Sequence, residues 1–175
     1  MKAMTTSTAI GSQITSGTAP DIKQAMACFG TGVTVITATH AGQDFGMTCN
    51  SFNTVSLEPA LVLWSLRQAS GNRAHFEAAG GYTVNILSHA QHPLAMRFTK
   101  GSHEERFAGL DLARLPTGRP QIVGSTAWFD CELERIIPAG DHDIMLGRVL
   151  SFGVNADANA EPLIYARRQF GRLVV

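Results

Sequence analysis

Charge is scarce in this sequence. Only 16% of its 175 residues are charged, and 14 basic side chains are matched by 14 acidic ones. With zero net charge and no basic stripe, the electrostatic footing of a nucleic-acid binder is missing. The longest basic cluster is Arg167-Arg168, with Arg172 nearby. No apolar run approaches the roughly 20 residues of a membrane span. The first residues lack the apolar core of a secretory leader, so a soluble, cytoplasmic protein is expected. The three cysteines, Cys28, Cys49 and Cys131, are odd in number, widely spaced and without a C-x-x-C pair. That pattern fits reduced, mostly buried thiols better than a disulfide framework.

The common nucleotide and nucleophile motifs are also missing. Gly30-Thr31-Gly32 lacks the third glycine of G-x-G-x-x-G and precedes a strand, so it reads as a helix stop and turn. There is neither a G-x-x-x-x-G-K-[ST] loop nor a G-x-S-x-G elbow. His89 and His92 are three apart, but no carboxylate or thiolate completes a ligand set, so no metal is expected. His103-Glu104-Glu105 reads as a solvated loop.

What the chain does hold is apolar and β-branched. Hydrophobic residues make up 45% of it, enough for one domain with a substantial core. So little polar cover favours an oligomer that hides part of the surface. Residues 1–19, rich in Thr, Ser, Gly and Ala, read as a mobile tail preceding a domain over 20–175. Asp21 is an expected N-cap for a helix over Ile22–Phe29. Strands are expected at Val33–Thr39, Phe45–Asn50 (after a Gly42-Gln43-Asp44 turn), Ala60–Leu66 and Tyr82–Leu87. Two long strands, Thr126–Ile137 and His142–Val154, flank Pro138-Ala139-Gly140-Asp141, and Pro162–Tyr165 and Gln169–Val175 are again strand-like. Short helices are expected over Arg73–Ala79 and Ala90–Phe98, the latter with Pro93 in its first turn, and residues 100–125 read as loops. Many strands, few helices and no βαβ alternation predict a mainly β, antiparallel barrel.

Two segments carry chemical interest. Thr48-Cys49-Asn50-Ser51 puts small and polar groups in a row where a strand leaves a turn, suited to a planar heterocycle with several donors and acceptors. Gly140-Asp141-His142 offers a histidine at a glycine-led corner, where it can bind a nicotinamide or phosphate, or supply protons. Taken singly, each is read more simply as a polar strand edge or a plain hairpin turn.

Taken together and in order, the strings of this chain resemble the short-chain flavin reductases, the reductase partners of two-component flavin-dependent monooxygenases. The matching strings are Phe29–Val35, Gly46-Met47-Thr48-Cys49-Asn50-Ser51-Phe52, Val55–Pro59, Gly81–Leu87, Trp128–Cys131, Gly140-Asp141-His142 and Pro162–Tyr165. The resemblance covers about residues 21–173. It implies a homodimeric split β-barrel of the FMN-binding type that uses NADH or NADPH to reduce FMN or FAD. It implies that Thr48, Cys49, Asn50 and Ser51 line the isoalloxazine, and that Ser65, Leu66 and Arg67 contact the ring edge and ribityl chain. Ser70, Asn72 and Arg97 would take the phosphate. His142 would orient the dinucleotide and supply protons, with Tyr165, Arg167 and Arg168 beside it. Three departures stand out: Pro59-Ala60 where relatives carry Pro-Pro, Cys49 in place of a small or aliphatic residue, and Arg168 where an Arg-Gly pair is frequent.

The implied chemistry is hydride transfer between two rings stacked about 3–3.5 Å apart, which needs positioning and dryness rather than an acid–base dyad. Reduced flavin would then pass by diffusion to a monooxygenase. The alternative is a non-catalytic flavin-binding or storage protein on the same barrel.

Overall fold

A computed structural model describes residues 19–157 and 160–173. The expected tail over 1–19 lies outside the described residues except for Ala19, which opens helix α1 (Ala19–Met26). Asp21 therefore sits inside α1 rather than capping it, because Pro20, with its preset φ, takes the first turn. The helix also ends sooner than Phe29. Its last turn tightens into three-residue bonds, Cys28 N–H to Ala25 O and Phe29 N–H to Met26 O.

The chain is mainly β. Seven strands form one antiparallel sheet in the order β3-β2-β6-β9-β10-β5-β4. They are β2 (Thr34–His40), β3 (Gln43–Cys49), β4 (Asn53–Leu57), β5 (Ala60–Arg67), β6 (Gly81–Ile86), β9 (Ala127–Ala139) and β10 (His142–Val154). The turn into β3 is Ala41-Gly42, with φ of 50° and 77°, not Gly42–Asp44. Two left-handed residues match the twist of a hairpin, so β3 starts at Gln43, two residues earlier than expected. β9 runs through Pro138 to Ala139, leaving only Gly140-Asp141 as the turn to β10. Register shifts at Leu146/Gly147 and Val149/Ser151 bend this long hairpin.

Strands from both ends of the sheet share one core. Phe45 and Cys49 of β3 meet Val62, Trp64 and Leu66 of β5, together with Tyr82, Cys131 and Met145. The sheet therefore rolls around its core, but the edge strands β3 and β4 do not pair, so the barrel is open. Helix α2 (Arg73–Ala79) plugs one end, its Phe76 ring 5.0 Å from Phe45 and 4.9 Å from Trp64. Each such fully buried side chain contributes about 1.5–3 kcal/mol.

A second core of Val33, Val35, Leu87, Ala95, Phe98, Ile122 and Leu163 lies beside the barrel. It is covered by α3 (His92–Arg97) and by a three-stranded sheet of β1 (Thr31–Gly32), β11 (Leu163–Ala166) and β12 (Gln169–Arg172). Residues 100–125, expected as loops, contain α4 (His103–Phe107) and the hairpin β7 (Leu112–Arg114) and β8 (Pro120–Ile122). Ser102 and Glu105 cap α4 reciprocally. Arg119 anchors the β7–β8 turn on buried Asp130 at 2.7 Å. No helix among the described residues is long and apolar enough to cross a membrane.

Candidate functional site

The end of β3 is tied to α3. Thr48 donates its hydroxyl to Ala95 O at 2.5 Å and its N–H to Phe98 O at 3.3 Å. Strand alternation then sends Thr48 and Asn50 one way and Cys49 the other. Cys49 is buried in the barrel core, its Sγ 3.1 Å from Ser51 Oγ, and burial pushes its thiol pKa up. Its carbonyl accepts from Thr34 Oγ1 at 2.8 Å.

Across from β3, the β11–β12 hairpin turns on Arg167-Arg168. Both hold left-handed backbone, φ 49° and 64°, a conformation that costs non-glycine residues energy and clusters at functional sites. Arg167 N–H bonds Ala27 O at 2.5 Å, which seats the turn against the end of α1. Between hairpin, α3 and β3 lies a cleft of about 450 Å³ lined by Val33, Thr48, Asn50, Met96, Thr99, Tyr165, Arg168 and Phe170. A neighbouring recess of about 650 Å³ shares Arg168 and adds Arg167, Gln24, Ala27 and Cys28.

A second group forms at the mouth of the barrel. His142 stands directly opposite Arg67 across the β10–β5 ladder. Its Nδ1 lies 2.8 Å from Asp141 Oδ1, an interaction that holds the Asp141 carboxyl below the usual carboxylate range. Ser70 and Asn72 follow in the loop leading to α2, with Asn72 N–H on Ser70 Oγ at 3.3 Å. Ser51 joins the two groups: its Oγ accepts from Ser65 N–H at 2.9 Å. The side chain of Leu66 is fully buried, so only its backbone is available.

Arg97 belongs to neither group. Its guanidinium donates to Glu105 O at 3.0 and 2.6 Å and to Ala108 O, bracing α4 against α3. Among the described residues no group of three His, Cys, Asp or Glu side chains is placed to hold a metal ion.

The chain matches the family described as flavin reductase like domain over residues 26–173. It belongs to that family. FMN reductase (NADH) SmoA of Agrobacterium fabrum is 39% identical over 150 residues, covering 86% of this chain and 83% of that one. The solved structure of nitrilotriacetate monooxygenase component B from Mycobacterium thermoresistibile superposes with a TM-score of 0.85 at 32% identity, covering 89% and 86% of the two chains. Streptomyces globisporus NADH:FAD oxidoreductase SgcE6, solved with NAD and FAD fragments, gives 0.82 at 29% identity, covering 89% and 92%. This chain spans about half the length of several curated relatives it matches, between 43% and 57%.

Of the residues singled out from the sequence, the flavin reductase like fold gathers Thr48, Asn50, Tyr165 and Arg168 in the cleft, and His142, Arg67, Ser70 and Asn72 at the barrel mouth. Val33, Met96, Thr99 and Phe170 line the cleft without having been foreseen. One signal for Phe170 was available: a two-residue turn at Arg167-Arg168 sets it directly opposite Tyr165, on the same face of the hairpin. Its ring lies 5.0 Å from Tyr165 and 4.5 Å from His92.

Proposed function

We propose that this protein is an NAD(P)H:flavin oxidoreductase that reduces FMN or FAD and releases the reduced flavin to a partner monooxygenase. The observation that carries the reading is the cleft itself, where strand β3 and the arginine-tipped hairpin converge in a chain of this family. Its volume falls within the range of small-ligand sites, about 300–1,000 Å³. The apolar walls Val33, Met96 and Phe170 suit a planar ring, and Asn50, Thr99 and Arg168 supply polar contacts at its edge. When bound, a reduced nicotinamide supplies a hydride from C4 and a flavin accepts it at N5.

The chain's own residues bind and orient. Thr48, Asn50 and Ser51 hold the ring, with Cys49 and Leu66 contributing backbone groups from inward-facing positions. Ser65 and Arg67 continue the contact, and Ser70 and Asn72 receive the phosphate. Arg97 is left out, because its fork already braces α4. Tyr165, Arg167 and Arg168 receive the dinucleotide. His142, paired to Asp141 through Nδ1, presents Nε2 to it.

The functional unit is a homodimer. Leu57, 95% exposed on β4, and Phe152 and Val154, 68% and 76% exposed on β10, leave an apolar outer face that a second copy would cover.

Anaerobic addition of NADH or NADPH to the protein mixed with FMN or FAD tests the reading. Bleaching of the flavin is expected. A flavin that binds but stays oxidised with both dinucleotides would identify a storage protein instead.

A further inference from the structure

Asp143 follows His142 on β10, yet its carboxylate is only 1% exposed. It accepts from Arg73 Nε at 2.6 Å and from Gln68 Nε2 at 3.0 Å. The same Gln68 Nε2 reaches His142 O at 3.4 Å, and Gln68 N–H bonds Asp141 O at 3.1 Å. Gln68 directly follows Arg67 and Arg73 directly follows Asn72. One buried carboxylate is therefore gripped by both ends of the loop proposed to receive the flavin phosphate, while its neighbour is the histidine proposed for the dinucleotide.

A buried ion pair is weak as a source of stability, since desolvation offsets most of its attraction. It is strong as a geometric constraint. Side chains alternate along a strand, so anchoring Asp143 inward obliges His142 to face outward, opposite Arg67. A one-residue slip of β10 would turn the imidazole into the core. The other buried carboxylate among the described residues, Asp130, serves the Thr117–Arg119 turn and touches none of the candidate site residues.

We infer that Asp143, with Arg73 and Gln68, is a positioning unit that holds His142 and the Arg67–Asn72 loop in one rigid frame, so that flavin and dinucleotide are received in fixed relation. The inference rests on the hydride-transfer reading, because it assigns the frame a purpose in bringing two ligands together. None of the three residues need touch a ligand; they act through His142 and the loop.

The test is a double-mutant cycle on the full chain with NADH, NADPH, FMN and FAD. Asp143→Asn keeps the shape and removes the charge. Gln68→Ala, at an exposed position, is the second probe should Asp143→Asn not fold. Each is expected to raise KM for the dinucleotide about tenfold with kcat within about twofold. In a His142→Ala background neither should raise it further. A merely structural ion pair would leave KM unchanged even where the melting temperature falls, or its effect would multiply with that of His142→Ala; either result overturns the inference.

If the parent chain shows no turnover, the hydride-transfer reading fails and the frame is judged separately by amide hydrogen exchange. Asp143→Asn and Gln68→Ala should each speed exchange of the Gln68 N–H by tenfold or more, with β9 and β10 amides beyond the turn unchanged. Unaltered exchange at Gln68 overturns the positioning unit.

Discussion

Arg168, proposed to receive the dinucleotide, would set binding against stability in a single residue. Its left-handed φ of 64° is natural for glycine, and its side chain lines both the cleft and the neighbouring recess. Arg168→Gly should therefore raise stability by up to about 1 kcal/mol, read as a higher melting temperature. It should also weaken dinucleotide binding about tenfold, the scale of one charge-assisted hydrogen bond. A variant that loses stability, or binds dinucleotide as well as the parent, contradicts this role. His142→Ala should raise KM for the dinucleotide about tenfold while the flavin dissociation constant holds within about twofold. Equal weakening of both ligands would contradict the assignment of His142 to the nicotinamide side. The neighbouring string at 48–51 was legible as a polar segment from residue types alone. Its division of labour was not, because residue type ignores the pleat: Thr48 and Cys49, the last residues of β3, point to opposite faces, so Thr48 lines the cleft and Cys49 turns into the core.

Among the elements, the long central strands were legible because β-branched runs such as Thr34–His40 have few other stable conformations. Short elements on the periphery were not. Strand β4 is only five residues, mostly exposed, and exists through its pairing with β5, a contact no local pattern announces. Helix α4 had a readable signal in Ser102-His103-Glu104-Glu105, the capping box, which outweighs the polar look of the segment. Packing between elements gives two further predictions. A Cβ on Gly147 would fall 2.2 Å from the hydroxyl of the fully buried Tyr82. Gly147→Ala should thus cost about 1–3 kcal/mol by overpacking, seen as a lower urea midpoint; an unchanged midpoint would contradict tight packing of Tyr82 against β10. The β10–α2 contact predicts acid sensitivity. Arg73, with Gln68 as second donor, holds the Asp143 carboxyl below the usual carboxylate range, and Glu77 also faces Arg73 at 3.3 Å. A carboxyl depressed on folding stabilises fully above the unfolded value, near 3.9, and loses that contribution as pH falls through the folded value. The melting-temperature gap between parent and Asp143→Asn should be constant above about pH 5 and close below about pH 4. A gap that persists in acid contradicts the ion pair.

At the scale of the whole molecule, two features call for partners. The exposed Leu57, Phe152 and Val154 give the proposed dimer its test: Phe152→Asp should shift sedimentation from dimer toward monomer, and an unchanged sedimentation coefficient would contradict a dimer built on this face. The cleft predicts chemistry. Its parts come from β1–β2, β3, α3 and the β11–β12 hairpin, and no single motif in the sequence describes it; the seven strings hold Val33, Thr48, Asn50 and Tyr165 of its lining but not Met96, Thr99, Arg168 or Phe170. The most direct measurement is steady-state oxidation of NADH and NADPH by the purified chain with FMN and with FAD. Flavin-dependent turnover is expected in at least one of the four pairings, abolished when flavin is omitted. No turnover in any pairing would contradict the hydride-transfer reading.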